Sequence, residues 1–125
     1  MLGEKDAMAT VAVKDLMAAK KFYEETLGLT LLHEEGGGAR LYKSGKTSLL
    51  VYESKYAGTN EATAVTWSAG KDVETIVDGL RGKGVVFEHY DMPGMTLQGD
   101  VHVGGSMKIA WFEDPDGNIH ALISE

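Results

Sequence analysis

The first apolar run, Met8 to Val13 (Met-Ala-Thr-Val-Ala-Val), has the length and β-branched content of a strand. Asp15 follows at a good N-cap position. Leu16, Ala19, Phe22, Tyr23 and Leu27 then recur at helical spacing, and Gly28 closes that helix. Leu29 to Leu32 predicts a second strand, and Gly36-Gly37-Gly38 a turn. Ala39 to Lys43 and Thr47 to Glu53 predict two more strands, joined as a hairpin by Ser44-Gly45-Lys46.

The second half repeats that order. Thr63 to Ala69 predicts a strand ending at Gly70, with Asp72 as the next N-cap. Val73, Ile76, Val77 and Leu80 lie at i, i+3, i+4 and i+7, an amphipathic helix that Gly84 closes. Val85 to His89 predicts a strand, and Tyr90 to Gly105 a long connection. Ser106 to Phe112 and Asn118 to Ile123 predict the last strands, with Asp114-Pro115-Asp116-Gly117 turning between them. Each half therefore reads β-α-β-β-β. The modules are 8–54 and 62–124, the segment Glu53 to Ala62 links them, and 1–125 is one α+β domain. Neither half buries its own sheet at this size, so the expectation is two curved mixed sheets forming a shared cleft.

Composition narrows the function. The 125 residues are 43% hydrophobic and 25% charged, the profile of a globular chain. Cysteine is absent, which excludes disulfides, thiol catalysis and thiolate metal sites. A net charge of −7 without a basic cluster argues against nucleic acid. No apolar stretch is long enough to span a membrane, and Met1 to Ala7 lacks the apolar core of a signal peptide, so the expected location is cytoplasmic. There is no nucleophile elbow, phosphate loop or calcium loop.

Three stretches carry a family resemblance. They are Val13-Lys14-Asp15-Leu16 with Phe22-Tyr23 and Leu27-Gly28-Leu29; Asp72-Val73 with Leu80 and Gly84-Val85; and Trp111 through Asn118 (Trp-Phe-Glu-Asp-Pro-Asp-Gly-Asn). With the repeated element order, the chain resembles the vicinal oxygen chelate superfamily, the group of glyoxalase I, bleomycin-resistance proteins and extradiol dioxygenases. The resemblance implies a divalent metal held by His, Glu or Gln from the first and last strand of each half. Carried onto this chain, those positions fall on Met8, Leu50, Ala64 or Val65, and Ala121, none a hard donor. It also implies a homodimer. The expectation is a chain without the metal cofactor, with no catalytic residues, resembling the members that sequester a drug. Two alternatives stand beside it: a lyase or dioxygenase with a relocated metal, and a structural dimer without a ligand.

The remaining donors offer no replacement. Strand alternation turns His120 away from the Ala121 face. His33 reads as the exposed end of a strand, and Glu53 has the wrong parity for the lost Leu50 ligand. His89 and His102, with Asp91 and Asp100 between them, read as a solvated polar loop. The same alternation gives the expected ligand-binding set: Met8, Thr10, Leu50, Tyr52, Trp67, Met107, Trp111 and Ala121, with Met92 from a lid in the long connection. Such an apolar, aromatic lining suits a small planar organic molecule.

Overall fold

The computed structural model describes residues 1–125, with the side chain of Glu35 outside that description. The chain forms two compact units, Met1–Asn60 and Glu61–Glu125.

In the first unit, Asp15 caps the helix as its side chain implies: its carboxylate accepts from the Met17 N–H at 2.9 Å. The strands are β1 (Ala9–Val13), β2 (Thr30–Glu35), β3 (Ala39–Ser44) and β4 (Thr47–Glu53), ordered β1-β4-β3-β2. β1 runs parallel to β4, and the other pairs are antiparallel. Helix α1 spans only Leu16–Lys20 and continues as a π-helical turn over Lys21–Thr26. Its wider closure is seen in the Leu27 N–H bonding the Phe22 carbonyl at 2.9 Å. The widened turn brings the adjacent rings of Phe22 and Tyr23 both into the core, where Tyr23 stacks on Tyr42 at 6.3 Å. Gly28 then takes φ +76°, a left-handed conformation that ends the helix. β2 is longer than the expected Leu29–Leu32, and an irregularity between Leu31 and His33 leaves Leu32 out of the pairing. His33 is thus inside a strand rather than at its end.

The second unit holds β5 (Thr63–Ser68), α2 (Val73–Gly82), β6 (Phe87–Glu88), β7 (Thr96–Gln98), β8 (Val101–Gly104), β9 (Met107–Glu113) and β10 (Ile119–Ile123). The order is β5-β10-β9-β8-β7, with β6 also on β9 and β5 parallel to β10. Asp72 stands at the N-cap of α2 as expected, without a side-chain cap bond, and it ends a 3-10 turn over Gly70–Asp72. One expectation fails here. The long connection contains the β7–β8 hairpin, whose turn uses Gly99 at φ +64°. β6 pairs with β9 at Phe112 and Trp111, and β8 pairs with it at Ile109, Lys108 and Met107. β10 takes the other edge of β9. The strand that matches β2 is therefore split into β6 and β8.

α2 covers the face of Lys108, Ala110 and Phe112, as the Lys108–Glu74 ion pair at 2.5 Å records. Phe112, Phe87, Trp67 and His120 form one aromatic cluster on that face, with ring centroids 5.4–6.2 Å apart. Burial pushes the His120 imidazole down to about 4 from its ordinary 6.5, with Asp114 opposing the shift. The turn after β9 is closed by a buried carboxylate. Asp114 Oδ1 accepts the backbone N–H of Asp116 and of Asn118, each at 2.9 Å, and Oδ2 accepts the Asn118 amide at 2.8 Å.

Two outcomes follow from this packing. Asp114→Ala strands those donors and should cost about 3 kcal/mol in urea unfolding, with the fold retained. A loss within error of zero would mean the turn closes without the carboxylate. His120 is neutral when folded, so its contribution is complete above the ordinary pKa of 6.5 and is lost as pH falls toward about 4. Between pH 7 and 4 the natural chain should lose about 3 kcal/mol more than His120→Phe. Parallel pH profiles for the two would refute this.

Candidate functional site

Each sheet buries one face under its helix and leaves the alternate residues to the other. In the first unit Val11, Val13, Leu49 and Val51 take the helix side. Thr10, Leu50 and Leu41 then lie in register across β1, β4 and β3, and Ala12, Tyr52 and Ala39 form the next row. Leu50 is half-buried, Tyr52 is 37% exposed, and Met8, just before β1, is 45% exposed. The Thr10 hydroxyl reaches the Met8 carbonyl at 3.4 Å. Parity thus places Thr10, Leu50 and Tyr52 on one face, with Met8 at its margin.

In the second unit Trp111 and Ala121 are cross-strand partners, with Ile109 and Ile123 beside them on the same face. His102 meets Trp111 edge-on at 4.8 Å, and Tyr90 meets it at 5.1 Å. Trp111 and Ala121 are buried, while Met107 is half-buried at the start of β9. Met92 is exposed, between β6 and β7.

Trp67 is not on the Trp111 face. An irregularity in the β5–β10 pairing matches Thr63 with Ile119 but Val65 with His120, so Ala64 is the extra residue. Parity counted without that residue assigns β5 to the wrong side. Trp67 stacks on Phe112 at 6.2 Å, and Val65 shares that side. The residue beside Ala121 is Thr66, which sequence reasoning missed because nothing in the local composition marks the irregularity.

The polar groups near this face are already engaged. The expected solvated loop is in fact ordered by them. His102 is buried, and its Nε2 accepts the Tyr90 N–H at 3.0 Å. Its proton is therefore on Nδ1, which donates to the Ile109 carbonyl at 3.3 Å. His89 Nε2 lies 2.7 Å from Asp100 Oδ1, and Arg81 donates to Asp100 Oδ2 through Nε at 2.9 Å and Nη2 at 2.6 Å. The His89 bond and then the Arg81 guanidinium hold the Asp100 carboxyl below its usual range. Asp91 is exposed. Among the described residues no three His, Asp or Glu side chains converge as a metal cage.

In the first unit Glu53 Oε1 lies 3.4 Å from the Leu16 N–H, at the start of α1. The π turn aims Glu24 inward, where its carboxylate accepts the Tyr42 hydroxyl at 2.8 Å and pairs with Arg40 at 3.5 Å. Burial, then the Glu24 bond, push the Tyr42 hydroxyl up to about 12. Neither feature was legible from the helical spacing.

Comparison with known proteins follows this geometry. The family described as the Glyoxalase/Bleomycin resistance protein/Dioxygenase superfamily matches residues 7–122. No curated protein matches the chain. Among solved structures, an integron cassette protein from a Halifax Harbour sewage-outfall metagenome superposes with a TM-score of 0.73 at 18% identity, over 98% of this chain and 99% of that one. TnmS3, an antibiotic binding protein from Streptomyces sp. CB03234, gives 0.64 at 22% identity, over 92% and 90%. FosX, a fosfomycin resistance protein from Listeria monocytogenes, gives 0.69 at 15% identity, over 100% and 93%. These likenesses show the fold.

Proposed function

The chain belongs to the glyoxalase, bleomycin-resistance and dioxygenase superfamily, and we propose that it is a member that binds a small, flat, apolar or aromatic organic molecule without a metal ion. The observation that carries the reading is the pair Trp111 and Ala121, adjacent across β9 and β10. At Ala121, where the resemblance implies a metal ligand, there is only a methyl group, with the Trp111 ring beside it. Leu50 in the first unit and Met8 before it offer no hard donor either, and His102 has both ring nitrogens bonded. The residues present do not fit a divalent cation at those positions.

The ligand groups are Trp111, Met107 and Ala121 in the second unit, with Met92 from the segment before β7. The corresponding groups of the first unit are Thr10, Leu50 and Tyr52 on its own helix-free face, with Met8 at its margin. An aromatic face and thioethers hold planar organic groups by dispersion and by ring-edge contacts. The excess of acidic residues, a net −7, favours a neutral or cationic ligand over an anionic one and disfavours nucleic acid. The names of TnmS3 and FosX fit a role in antibiotic binding or resistance. The same reading makes the protein a cytoplasmic homodimer. No helix among the described residues is long and apolar enough to cross a membrane.

Metal analysis of the purified protein should find Fe, Ni, Zn and Mn well below one equivalent. Titration with a panel of planar aromatic antibiotics should change tryptophan emission in Trp67→Phe and leave it unchanged in Trp111→Phe. By calorimetry, Trp111→Phe should weaken binding about tenfold. Stoichiometric metal would instead support a lyase or dioxygenase with a relocated site. A flat response across the panel would leave a dimer with a structural role.

A further inference from the structure

Residues 90–95 join β6 to β7 without pairing to any strand. They are fastened to the second unit at two places. At the first, the Tyr90 N–H bonds His102 Nε2 at 3.0 Å, and the Tyr90 ring packs edge-on against Trp111 at 5.1 Å. Just before it, His89 is tied through Asp100 to Arg81 at the end of α2. At the second, Met95 lies over Gly104 in β8. A Cβ on Gly104 would meet the Gly94 carbonyl and Met95 Cγ, both at 3.0 Å. Gly104 does not have positive φ, so its missing side chain serves this seat rather than a backbone turn.

Between the fastenings little holds the segment down. Pro93 has no N–H to donate. The Met95 N–H bonds the Met92 carbonyl at 3.1 Å, within the segment itself. Tyr90 is 39% exposed and Met92 37%. A segment with few buried contacts and no ladder bonds opens at a lower free energy than the sheet beneath it.

We propose that Tyr90–Met95 is a strap that opens and closes over the Trp111 side of β9, with His102 as the latch that releases the Tyr90 N–H on opening and Gly104 as its seat. His102 is a positioning residue here: buried and bonded at both nitrogens, it holds the Tyr90 backbone. The Asp100 clasp fixes where the strap starts, so opening is confined to the residues after His89. Met95 leaves Gly104, the turn at Met92–Met95 lifts, and Tyr90 uncovers the Trp111 ring. The strap gates Trp111 whether or not a ligand binds there, so it does not depend on the proposed function.

Two measurements test it. In the natural chain, amide hydrogen exchange should show the Tyr90 N–H opening by a local route, faster than the amides of β9. If Tyr90 exchanges only with those amides, the strap is a fixed part of the sheet and the proposal fails. In a Trp67→Phe background Trp111 is the sole tryptophan. Adding Gly104→Val should fill the seat, lift the strap and raise acrylamide quenching of Trp111 by about threefold with unchanged circular dichroism. A folded variant with unaltered quenching would overturn the proposal. If the variant does not fold, the exchange experiment alone decides.

Discussion

Each unit depends on one parallel pairing, β1 with β4 and β5 with β10. A chain cannot bring its first strand parallel to its last by hairpins alone; one connection must cross over a face of the sheet. The helix that follows the first strand makes that crossing and claims the face it passes. Val11, Val13, Leu49 and Val51 under α1 are buried almost completely, as are Val73 and Val77 on α2. The opposite face has no helix, so its character is set by whichever side chains alternate with the core. Function in this fold is therefore a matter of strand parity.

The two units answer that constraint differently. The first keeps four strands and spends its polar groups inside, where Glu24 joins Tyr42 and Arg40 beneath the π turn. The second splits one strand and inserts a hairpin. Backbone freed by the split must find partners elsewhere. His102 supplies one by accepting the Tyr90 N–H, and Asp100 gathers His89 and Arg81 around the break. Residues that look like a donor cluster in the sequence are holding an insertion in place. Asp114 has a similar part in the turn before β10, where a carboxylate in the family-like motif bonds backbone and amide donors.

Periodicity made most elements legible, because buried strands and an amphipathic helix leave strong patterns at Val11–Val13, Leu49–Val51 and Val73–Leu80. Features that depend on one residue more or less were not legible. The π turn was hidden because Phe22 and Tyr23 also fit an α-helical stripe. The β7–β8 hairpin was hidden because its strands, Thr96–Gln98 and Val101–Gly104, are too short to show a pattern after the turn residues Pro93 and Gly94. The extra residue at Ala64 carries no compositional mark, yet it decides the side on which Trp67 lies. The Trp111–Ala121 pair was legible because β9 and β10 meet without irregularity.

That extra residue makes insertion and deletion a lever on the surface chemistry of the second unit. Side chains alternate with a period of two, so dropping Ala64 while keeping the pairing to β10 would turn the start of β5 by one pleat. Thr63 would move into its place, and the irregularity opposite Ile119 would disappear. Shortening β5 on the other side of that point would send Trp67 to the Trp111 face and bring Thr66 and Ser68 beneath α2. One codon lost from β5 beyond Ala64 thus exchanges a hydroxyl lining for an aromatic one on the Trp111 face without a substitution.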